Sequence, residues 1–263
     1  MLKLMLFTND IHLARTAQKA GVDRIVIDLE VRAKEERQNG YHLECNYHTI
    51  EDLRLMKNTV DIPVVCRINP INENSKDEIN EVIASSADIL MLPMFRGAEE
   101  VEEFIRLVGG RSATSLLLET KEAAENAEKI AKLGFNEVYI GLNDLAISYG
   151  KGFAYELLLE DLLDNLRDIF KNKPFGFGGI TILGKGAPLP THLILRELSR
   201  LRADFAIIRR AFKKDIIGRD ITEEVKKIKS EYEVLSLRSQ KQALADRSDT
   251  LKFMKEIPVT NLR

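Results

Sequence analysis

Acidic side chains stand at the ends of several apolar runs in this sequence, together with one arginine. The stretch VYIGLNDLAISYG (138–150) begins as an apolar run, breaks at Gly141 and continues to Asn143 and Asp144. Polar residues follow other runs in the same way, and the full set is Asp28, Glu30, Arg67, Asn69, Glu119, Asn143 and Asp144. Carboxylates that converge on one small region repel each other unless a cation or a proton neutralises them. The chemistry of this set therefore depends on whether the fold brings its members together.

Eight short apolar runs predict the strands that would position this set. The runs are nearly continuous rather than alternating, which is typical of parallel strands buried on both faces. They begin at Leu2, Asp23, Ile62, Ala87, Ala113, Asn136, Pro174 and Ala203. With amphipathic segments between them, they predict the α/β class and a (β/α)8 TIM barrel with extra C-terminal helices, for which about 250 residues is typical. A doubly wound open sheet also alternates strands and helices, but no GxGxxG follows the first run.

Capping residues mark several helix boundaries in the sequence. Gly21 and Gly134 are placed to end the helices that precede them. The sequence SKDE at residues 75–78 has the pattern of a capping box, and Thr49 with Asp52 is a weaker version of it.

The chain continues past the eighth predicted strand with more helical sequence than one barrel helix requires. We divide it into a barrel core, residues 1–212, and a helical extension, residues 213–263. The extension is expected to pack on the barrel or across the boundary with a neighbouring subunit. We expect a homo-oligomer on this ground, although a charged helix lying on its own barrel explains the segment equally well.

Composition and charge exclude several classes of partner. Lys and Arg (39) nearly balance Asp and Glu (41), so there is no basic field that would attract nucleic acid. No apolar run approaches the ~20 residues of a membrane span, so we expect no membrane partner. Two cysteines, Cys45 and Cys66, do not make a disulfide framework, which indicates a reducing compartment. We expect a cytoplasmic protein.

In a TIM barrel the carboxyl ends of all strands meet at one rim, where catalytic groups lie. Four carboxylates and an arginine on that rim favour a hard divalent cation, Mg²⁺ or Mn²⁺, with oxygen ligands. Glu119 and Asp144 follow adjacent strands, five and six, so they can share one ion. The alternative is that each acid caps the helix after it, which Asp28 and Asp144 could do individually.

Arg67 ends the run PVVCR, which is too apolar to tolerate an unpaired charge. Either it pairs structurally with Asp28 or Glu30, or it faces the pocket and stabilises a developing oxyanion. Both roles are compatible. A metal ion and an arginine beside a small pocket suit chemistry through an enolate, because both cations can neutralise the same oxygen.

Five motifs in order along the chain resemble the HpcH/HpaI aldolase and citrate lyase β-subunit family. They are VIDLE (26–30), CRIN (66–69), ILMLP (89–93), LLLET (116–120) and IGLNDLAISYG (140–150). The resemblance implies a phosphoenolpyruvate/pyruvate-type barrel that makes or breaks carbon–carbon bonds through a metal-bound pyruvate enolate.

The resemblance also implies roles for individual residues. Glu119 and Asp144 would be the Mg²⁺ or Mn²⁺ ligands, and Arg67 would hold the pyruvyl oxygens. Asp28 and Glu30 would orient water or the catalytic base. The implied substrate contacts are Arg67, Asn143 and Pro93.

Two positions depart from the family pattern. Where the aldolase branch has a histidine after the acid of the second strand, and the citrate lyase branch an aspartate, this sequence has Val31. The proline expected before the strand-six motif is Leu142. Because Val31 removes the expected base, we consider His42 and His48, which lie in the long connection after the second strand, as candidates.

Two further patterns are weaker. His42-x-x-Cys45-x-x-His48 could bind zinc, but it lacks a fourth ligand. The glycine-rich stretch FGFGGITILGKGAPLPTH after strand seven could cradle a substrate phosphate or a CoA pyrophosphate through Gly178, Gly179, Gly184, Gly186 and Lys185, or it could be a plain loop or lid. Of the two arginines that end strand eight, Arg209 and Arg210, alternation allows only one to point into the barrel mouth.

The sequence therefore predicts a divalent-metal-dependent carbon–carbon lyase, aldolase-like, acting on a small 2-oxo acid or its aldol adduct. One alternative is an acyl-CoA lyase of the citrate lyase β type. The other is a non-catalytic barrel that binds an oxo acid in a regulatory role, for which Val31 is the motive.

Overall fold

The structure is a computed structural model that describes residues 1–31 and 48–257. Its centre is a closed barrel of eight parallel strands in the order of the chain. The strands are β1 (Lys3–Phe7), β2 (Arg24–Asp28), β3 (Val64–Arg67), β4 (Ile89–Leu92), β5 (Ala113–Leu118), β6 (Glu137–Ile140), β7 (Phe175–Ile180) and β8 (Phe205–Ile208). Each of the eight predicted runs contains one of them, so the predicted TIM barrel is confirmed.

Helices surround the barrel and continue past it. They are α1 (Ile11–Lys19), α2 (Ile50–Lys57), α3 (Ser75–Ala84), α4 (Ala98–Val108), α5 (Lys121–Glu125), α6 (Ala127–Ile130), α7 (Leu142–Ser148), α8 (Leu162–Ile169), α9 (Thr191–Arg200), α10 (Ala211–Asp215), α11 (Ile221–Ser236) and α12 (Gln240–Lys255). A 3₁₀ helix spans Ala154–Leu159. Among the described residues there is no helix with the length and apolar character that crossing a membrane requires.

The helix boundaries test the capping patterns. Gly21, at φ +94°, directly follows the C-cap of α1, and the Thr49–Asp52 capping box is formed at the start of α2. The predicted box at residues 75–78 is wrong: α3 begins at its serine, and its glutamate bonds elsewhere. The helix expected to end at Gly134 is interrupted after α5 and stops at the end of α6.

Apolar side chains fill the barrel interior. They form a separate cluster of Met5, Val26, Val65, Ile89, Met91, Leu117, Tyr139 and Phe205. The second and larger cluster lies between the strands and the helices. Because side chains alternate along a strand, residues two positions beyond an interior residue also face inward. Asp28, Arg67 and Glu119 follow interior residues in this way, so the fold brings them to the inside of the rim.

Strand β7 departs from regular pairing. Its register against β8 shifts between Gly176 and Gly179. A Cβ at Gly176 would overlap the carbonyl oxygen of Phe205, so only glycine allows the close approach of β7 to β8. Tyr139 lies inside the barrel next to this irregular part of β7. Its hydroxyl donates a hydrogen bond to the carbonyl oxygen of Gly178.

The end of the barrel at which the strands begin, its lower end, holds a buried ion pair. Nη1 of Arg24, in β2, lies 2.7 Å from Oε1 of Glu137, in β6, and both side chains are about nine-tenths buried. The guanidinium also lies over the ring of Phe205, 5.3 Å from its centroid. The pair therefore joins two strands that are not neighbours in the barrel.

The helices after the barrel pack on its outer layer. Helix α11 contacts α1 and α9, and α12 contacts α9 and the 3₁₀ helix. Nζ of Lys229 in α11 lies 2.8 Å from Oδ2 of Asp23, and the hydroxyl of Tyr232 donates to the carbonyl oxygen of Ala203 at 2.6 Å. The division at residue 212 and a contact of the extension with a neighbouring subunit stay predictions.

Asp164 of α8 connects the last helix, α12, to the barrel through an ion pair. Its carboxylate accepts hydrogen bonds from Arg200 of α9, at 2.5 and 3.0 Å, and from Arg247 of α12, at 2.5 Å. Partial burial would raise the pKa of Asp164, but the bonds from the two arginines outweigh it and lower the pKa below its usual range.

We expect Glu137→Gln to destabilise the protein by about 3 kcal/mol or more, because it leaves the charge of Arg24 buried without its partner. Replacing both residues, Arg24→Met with Glu137→Leu, should recover most of that loss. Urea unfolding measures both variants. As a control, Glu103→Gln breaks the exposed pair with Arg106 and should leave stability nearly unchanged. An effect of Glu137→Gln no larger than that of the control would contradict the role of the buried pair.

Asp164 should make the free energy of unfolding depend on pH in the acidic range. Its pKa is lowered on folding, so its contribution is complete above its ordinary pKa of about 3.9 and is lost as pH falls below that value. Asp164→Asn should therefore lower stability at pH 7, by only about 1 kcal/mol because solvent screens a carboxylate that is a third exposed. The difference from wild type should shrink toward pH 3. Urea unfolding across this pH range measures it, with the exposed Asp249→Asn of α12 as control. A difference that stays constant with pH would disprove the linkage.

Candidate active site

Arg67 and Asp28 form the centre of the rim. They are paired across neighbouring strands, since the register of β2 and β3 aligns Asp28 with Arg67. Nε and Nη2 of the guanidinium each donate to one carboxylate oxygen of Asp28, both at 2.8 Å. Asp28 is fully buried and the side chain of Arg67 is 11% exposed. Such a two-bond fork fixes the plane of the guanidinium as well as its position.

Further groups hold the guanidinium from other sides. Its Nη1 lies 3.2 Å from Oε2 of the buried Glu30, and its carbon lies 5.4 Å from the ring centroid of Phe7. Burial would lower the pKa of Arg67, but the charges of Asp28, Glu30 and Glu119 and the bonds to Asp28 raise it above its ordinary value. Arg67 is therefore a permanent cation, and Glu119 is near enough to contribute to its environment.

His48, two residues before the start of α2, contacts Asp28 as well. It is buried, and its Nδ1 accepts a hydrogen bond from the backbone N–H of Asp28 at 3.0 Å. A neutral imidazole that accepts at Nδ1 carries its proton on Nε2. The ring therefore positions the backbone of Asp28, and proton transfer by His48 would use Nε2.

Asn69 ties the ends of β2 and β3 together. Its Oδ1 accepts from the backbone N–H of Val31 at 3.1 Å, and its Nδ2 donates to the carbonyl oxygen of Leu29 at 3.3 Å. Glu78 of α3 accepts from both the backbone N–H and the Nδ2 of Asn69, at 3.0 and 2.8 Å. Glu78 thus supports the rim instead of capping its own helix. Val31 itself is 54% exposed.

Glu119 is buried directly after β5. Its Oε1 accepts a hydrogen bond from the backbone N–H of Met94, at 3.2 Å, just after β4. Its Oε2 faces Gly141, where an added Cβ would lie only 2.7 Å from that oxygen. The break of the strand at Gly141 is therefore the space in which the carboxylate of Glu119 lies.

Asp144 and Asn143 lie in the first turn of α7, directly after β6. That helix is preceded by Gly141, which has no side chain to cap it, so Asp144 is not its N-cap. Asn143 is exposed and Asp144 is partly buried. Because β5 and β6 are paired neighbours, Glu119 and Asp144 follow adjacent strands, as predicted.

The chemistry of these two carboxylates fits a hard divalent cation. Mg²⁺ in proteins is commonly held by one or two carboxylates, with water or substrate completing its coordination. The space at Gly141 keeps the carboxylate of Glu119 next to the turn that carries Asp144. Across residues 1–31 and 48–257, no group of three or more His, Cys, Asp or Glu is arranged to hold a metal ion.

The remaining predicted site residues are distributed as follows. Pro93 is buried after β4, next to the residue that binds Glu119. His42 and Cys45 lie outside the described residues, so the base and zinc hypotheses that use them stay predictions.

The sequence interpretation does not assign Phe7 and Met94 any role, and it assigns Gly141 only to a strand break and Glu78 only to a helix cap. Gly141 had a local signal, since it interrupts an apolar run two residues before the polar pair. Phe7 and Met94 act through a ring face and a backbone N–H, which leave no signal in the sequence.

The glycine-rich stretch is divided by the structure. Gly178 and Gly179 belong to β7, and the hydroxyl of Tyr155 bonds both the carbonyl oxygen and the N–H of Gly179, at 2.8 and 3.3 Å. The N–H of Gly179 is therefore already bonded within the protein, and the phosphate-cradle hypothesis for the other residues of the stretch stays a prediction. Gly184 and Gly186 lie in the loop that follows.

Solved structures of similar fold share little sequence with this chain. The HpcH/HpaI aldolase from Desulfitobacterium hafniense DCB-2 is 15% identical with a TM-score of 0.60, and the match covers 87% of this chain and 93% of that one. Citrate synthase SbnG is 16% identical with a TM-score of 0.62, over 86% and 94% of the two chains. Protein CitE from Mycobacterium tuberculosis, in complex with magnesium and pyruvate, is 17% identical with a TM-score of 0.59, over 95% and 98%. At these identities the likeness concerns the fold alone.

Sequence comparison gives the family. The search of curated proteins finds no match. The family model of HpcH/HpaI aldolase/citrate lyase matches residues 3–158, which run from β1 into the 3₁₀ helix. This span covers more than half of the chain and contains the rim residues Asp28, Arg67, Glu119 and Asp144. The chain belongs to the HpcH/HpaI aldolase/citrate lyase family.

Proposed function

We propose that the protein is a divalent-metal-dependent carbon–carbon lyase of aldolase type, acting through a pyruvate-type enolate on a 2-oxo acid or its aldol adduct. The observation that carries the proposal is the buried guanidinium of Arg67, held in a fixed plane by Asp28 beside Glu119. Membership of the aldolase/citrate lyase family supports lyase chemistry. The complex of CitE with magnesium and pyruvate supports the same class of metal and substrate.

Glu119 and Asp144 would hold the cation, Mg²⁺ or Mn²⁺. When bound, it would supply positive charge that stabilises the negative charge developing on the substrate oxygen. Asn143, in the same turn, and Pro93, beside the partner of Glu119, would contact the substrate.

Arg67 would bind the pyruvyl oxygens. A guanidinium has five N–H groups, and two of them form the fork to Asp28. Nη1 and Nη2 each carry a second proton that can be directed at substrate. Because Asp28 and Glu30 already fix the guanidinium, little reorganisation is needed as charge develops.

Cleavage of an aldol adduct requires a base. The hydroxyl proton leaves, the carbon–carbon bond breaks, and its electron pair passes to the oxo-acid fragment as the enolate. Asp28 and Glu30 would orient the water or group that accepts the proton. His42 and His48 stay the candidates for this group, with His48 acting through Nε2.

A second candidate function is a non-catalytic barrel that binds an oxo acid. Val31 favours it, since an exposed apolar side chain stands where the family places an ionisable one. The two functions share the binding prediction and differ in turnover.

We expect Mg²⁺ or Mn²⁺ together with oxalate, a planar mimic of the pyruvate enolate, to raise the melting temperature. With both ligands well above their Kd, the rise should be about 5 °C or more. Glu119→Gln and Asp144→Asn should abolish it and lower turnover of an oxo-acid adduct by about 10²-fold or more. Glu122→Gln, on the exposed first turn of α5, is the matched control. A wild-type protein that shows no shift would refute the metal site, while a shift without turnover would favour the non-catalytic barrel.

Arg67→Lys should keep the charge but lose the fork to Asp28, because an ammonium cannot bind a carboxylate in a fixed plane. We expect the protein to fold and kcat/KM to fall by about 10²-fold, with a weaker oxalate response. Arg54→Lys, on the exposed side of α2, is the control for an arginine-to-lysine change. Equal kcat/KM for Arg67→Lys and wild type would exclude a substrate role for the fork.

A further inference from the structure

A second arginine lies at the rim and takes no part in the proposed reaction. Arg209 directly follows β8, and the interior position of Phe205 places Arg209 inward by alternation, while Arg210 turns the other way. The structure thus decides which of the two arginines enters the barrel mouth.

The guanidinium of Arg209 has an unused edge. Its Nη1 donates to the carbonyl oxygen of Ala187 at 3.2 Å. Its Nε and Nη2 are shielded from solvent and have no hydrogen-bond partner within the part of the chain that the structure describes. These two donors form the same edge with which Arg67 binds the carboxylate of Asp28. In the described part of the rim, the fork of Arg67 thus holds a carboxylate, and the fork of Arg209 has no acceptor.

Among the residues that the structure describes, no carboxylate forms an ion pair with Arg209. None of the described ion pairs includes it, and Asp215 of α10 instead accepts from the hydroxyl of Thr181 at 2.6 Å. Residues 174–196 contain no Asp or Glu, and Lys185 adds positive charge. Arg209 is partly buried, and two of its donors are shielded from solvent without an acceptor among the described residues, which is costly. This arrangement favours an anion from outside the chain.

The loop between β7 and α9 is shaped around the guanidinium. A Cβ at Gly186 would overlap Nη2 of Arg209, and one at Gly179 would lie 3.3 Å from the Cβ of Arg209. Gly184 and Gly186 have φ values of +75° and +111°, which other residues rarely adopt. Tyr155 borders the same place: burial raises the pKa of its hydroxyl, although the charge of Arg209 and the bond to Gly179 oppose this, so it stays neutral.

We propose that Arg209 is an anion-binding residue whose Nε–Nη2 edge takes the oxyanion group, carboxylate or phosphate, of a ligand at the barrel mouth between the β7–α9 loop and Tyr155. The fork matches both groups, since each presents two oxygens in one plane to two parallel N–H donors. The glycines of the loop allow it to lie over the guanidinium and to shift when the anion enters. The site uses neither Glu119 nor Asp144 and does not depend on a metal.

The test is thermal unfolding of the full chain without divalent metal, titrated with inorganic phosphate or malonate against chloride at equal ionic strength. Wild type should show a saturable rise in melting temperature with phosphate, malonate or both. Arg209→Met should raise the half-saturating concentration at least about tenfold, as expected for lost hydrogen bonds to a charged group. Without anion, Arg209→Met should melt no lower than wild type, because it removes an uncompensated charge. Arg209→Lys, which keeps the charge without the fork, should bind less tightly than wild type.

Lys213→Met, an exposed change of equal charge on α10, should behave as wild type. A response to phosphate alone identifies a phosphate-bearing ligand, and a response to malonate alone a carboxylate; both support the site. Equal titrations for wild type and Arg209→Met overturn it, as does a wild type without saturable response. Asp144→Asn should keep the anion response, so failure of the metal site and failure of this site give different results.

Discussion

The buried pair of Arg67 and Asp28 is the interaction on which the rim depends. A carboxylate with no exposure is stable as an anion only beside a fixed cation, and removing one partner of such a pair costs roughly 3–5 kcal/mol. Neighbouring residues hold both members of the pair in place. His48 accepts a hydrogen bond from the backbone N–H of Asp28, and Glu30 lies against Nη1 of Arg67. The same rigidity that stabilises the fold presents a cation in a fixed plane to any ligand at the mouth.

The barrel separates its charges into two ends. Apolar side chains fill the middle, the pair of Arg24 and Glu137 closes the lower end, and the polar set closes the upper end. At the lower end the charges satisfy each other across the barrel, which suits a structural role. At the upper end the carboxylate of Glu119 lies in the space left by Gly141, and strand ends rather than flexible loops fix its neighbours. Sites held by strand ends keep their geometry with little motion, which is what stabilising a developing charge requires.

Charge is unevenly distributed around the upper rim. Among the described residues, the buried carboxylates at the ends of β2 and β5 lie around the guanidinium of Arg67, whereas β8 is followed by Arg209, and residues 174–196 contain no acid. A cation bound on the acidic side and an anion on the basic side would each find a matching surface. The mouth is thus suited to a ligand whose metal-binding and anionic ends differ.

Local patterns in the sequence were sufficient for the architecture and for most of the rim. Eight apolar runs gave eight strands, and because parallel strands end at one rim, Asp28, Glu30, Arg67 and Glu119 were predicted to meet there. The partners could not be predicted, since they are set by barrel register: Asp28 bonds a residue 39 positions away, and Arg24 one 113 positions away.

Some side chains and backbone groups form hydrogen bonds with partners brought near by the tertiary structure, and not those that the local sequence pattern predicts. Glu78 binds Asn69 instead of capping its helix. The carbonyl oxygens of Gly178 and Gly179 accept hydrogen bonds from two tyrosine hydroxyls. The choice of Arg209 over Arg210 followed from the inward face of β8, which the sequence left open. The sequence determined which residues could reach the rim, because strand period and strand ends are local properties. Only the closed barrel decided which of them touch, because contact depends on the register between distant strands.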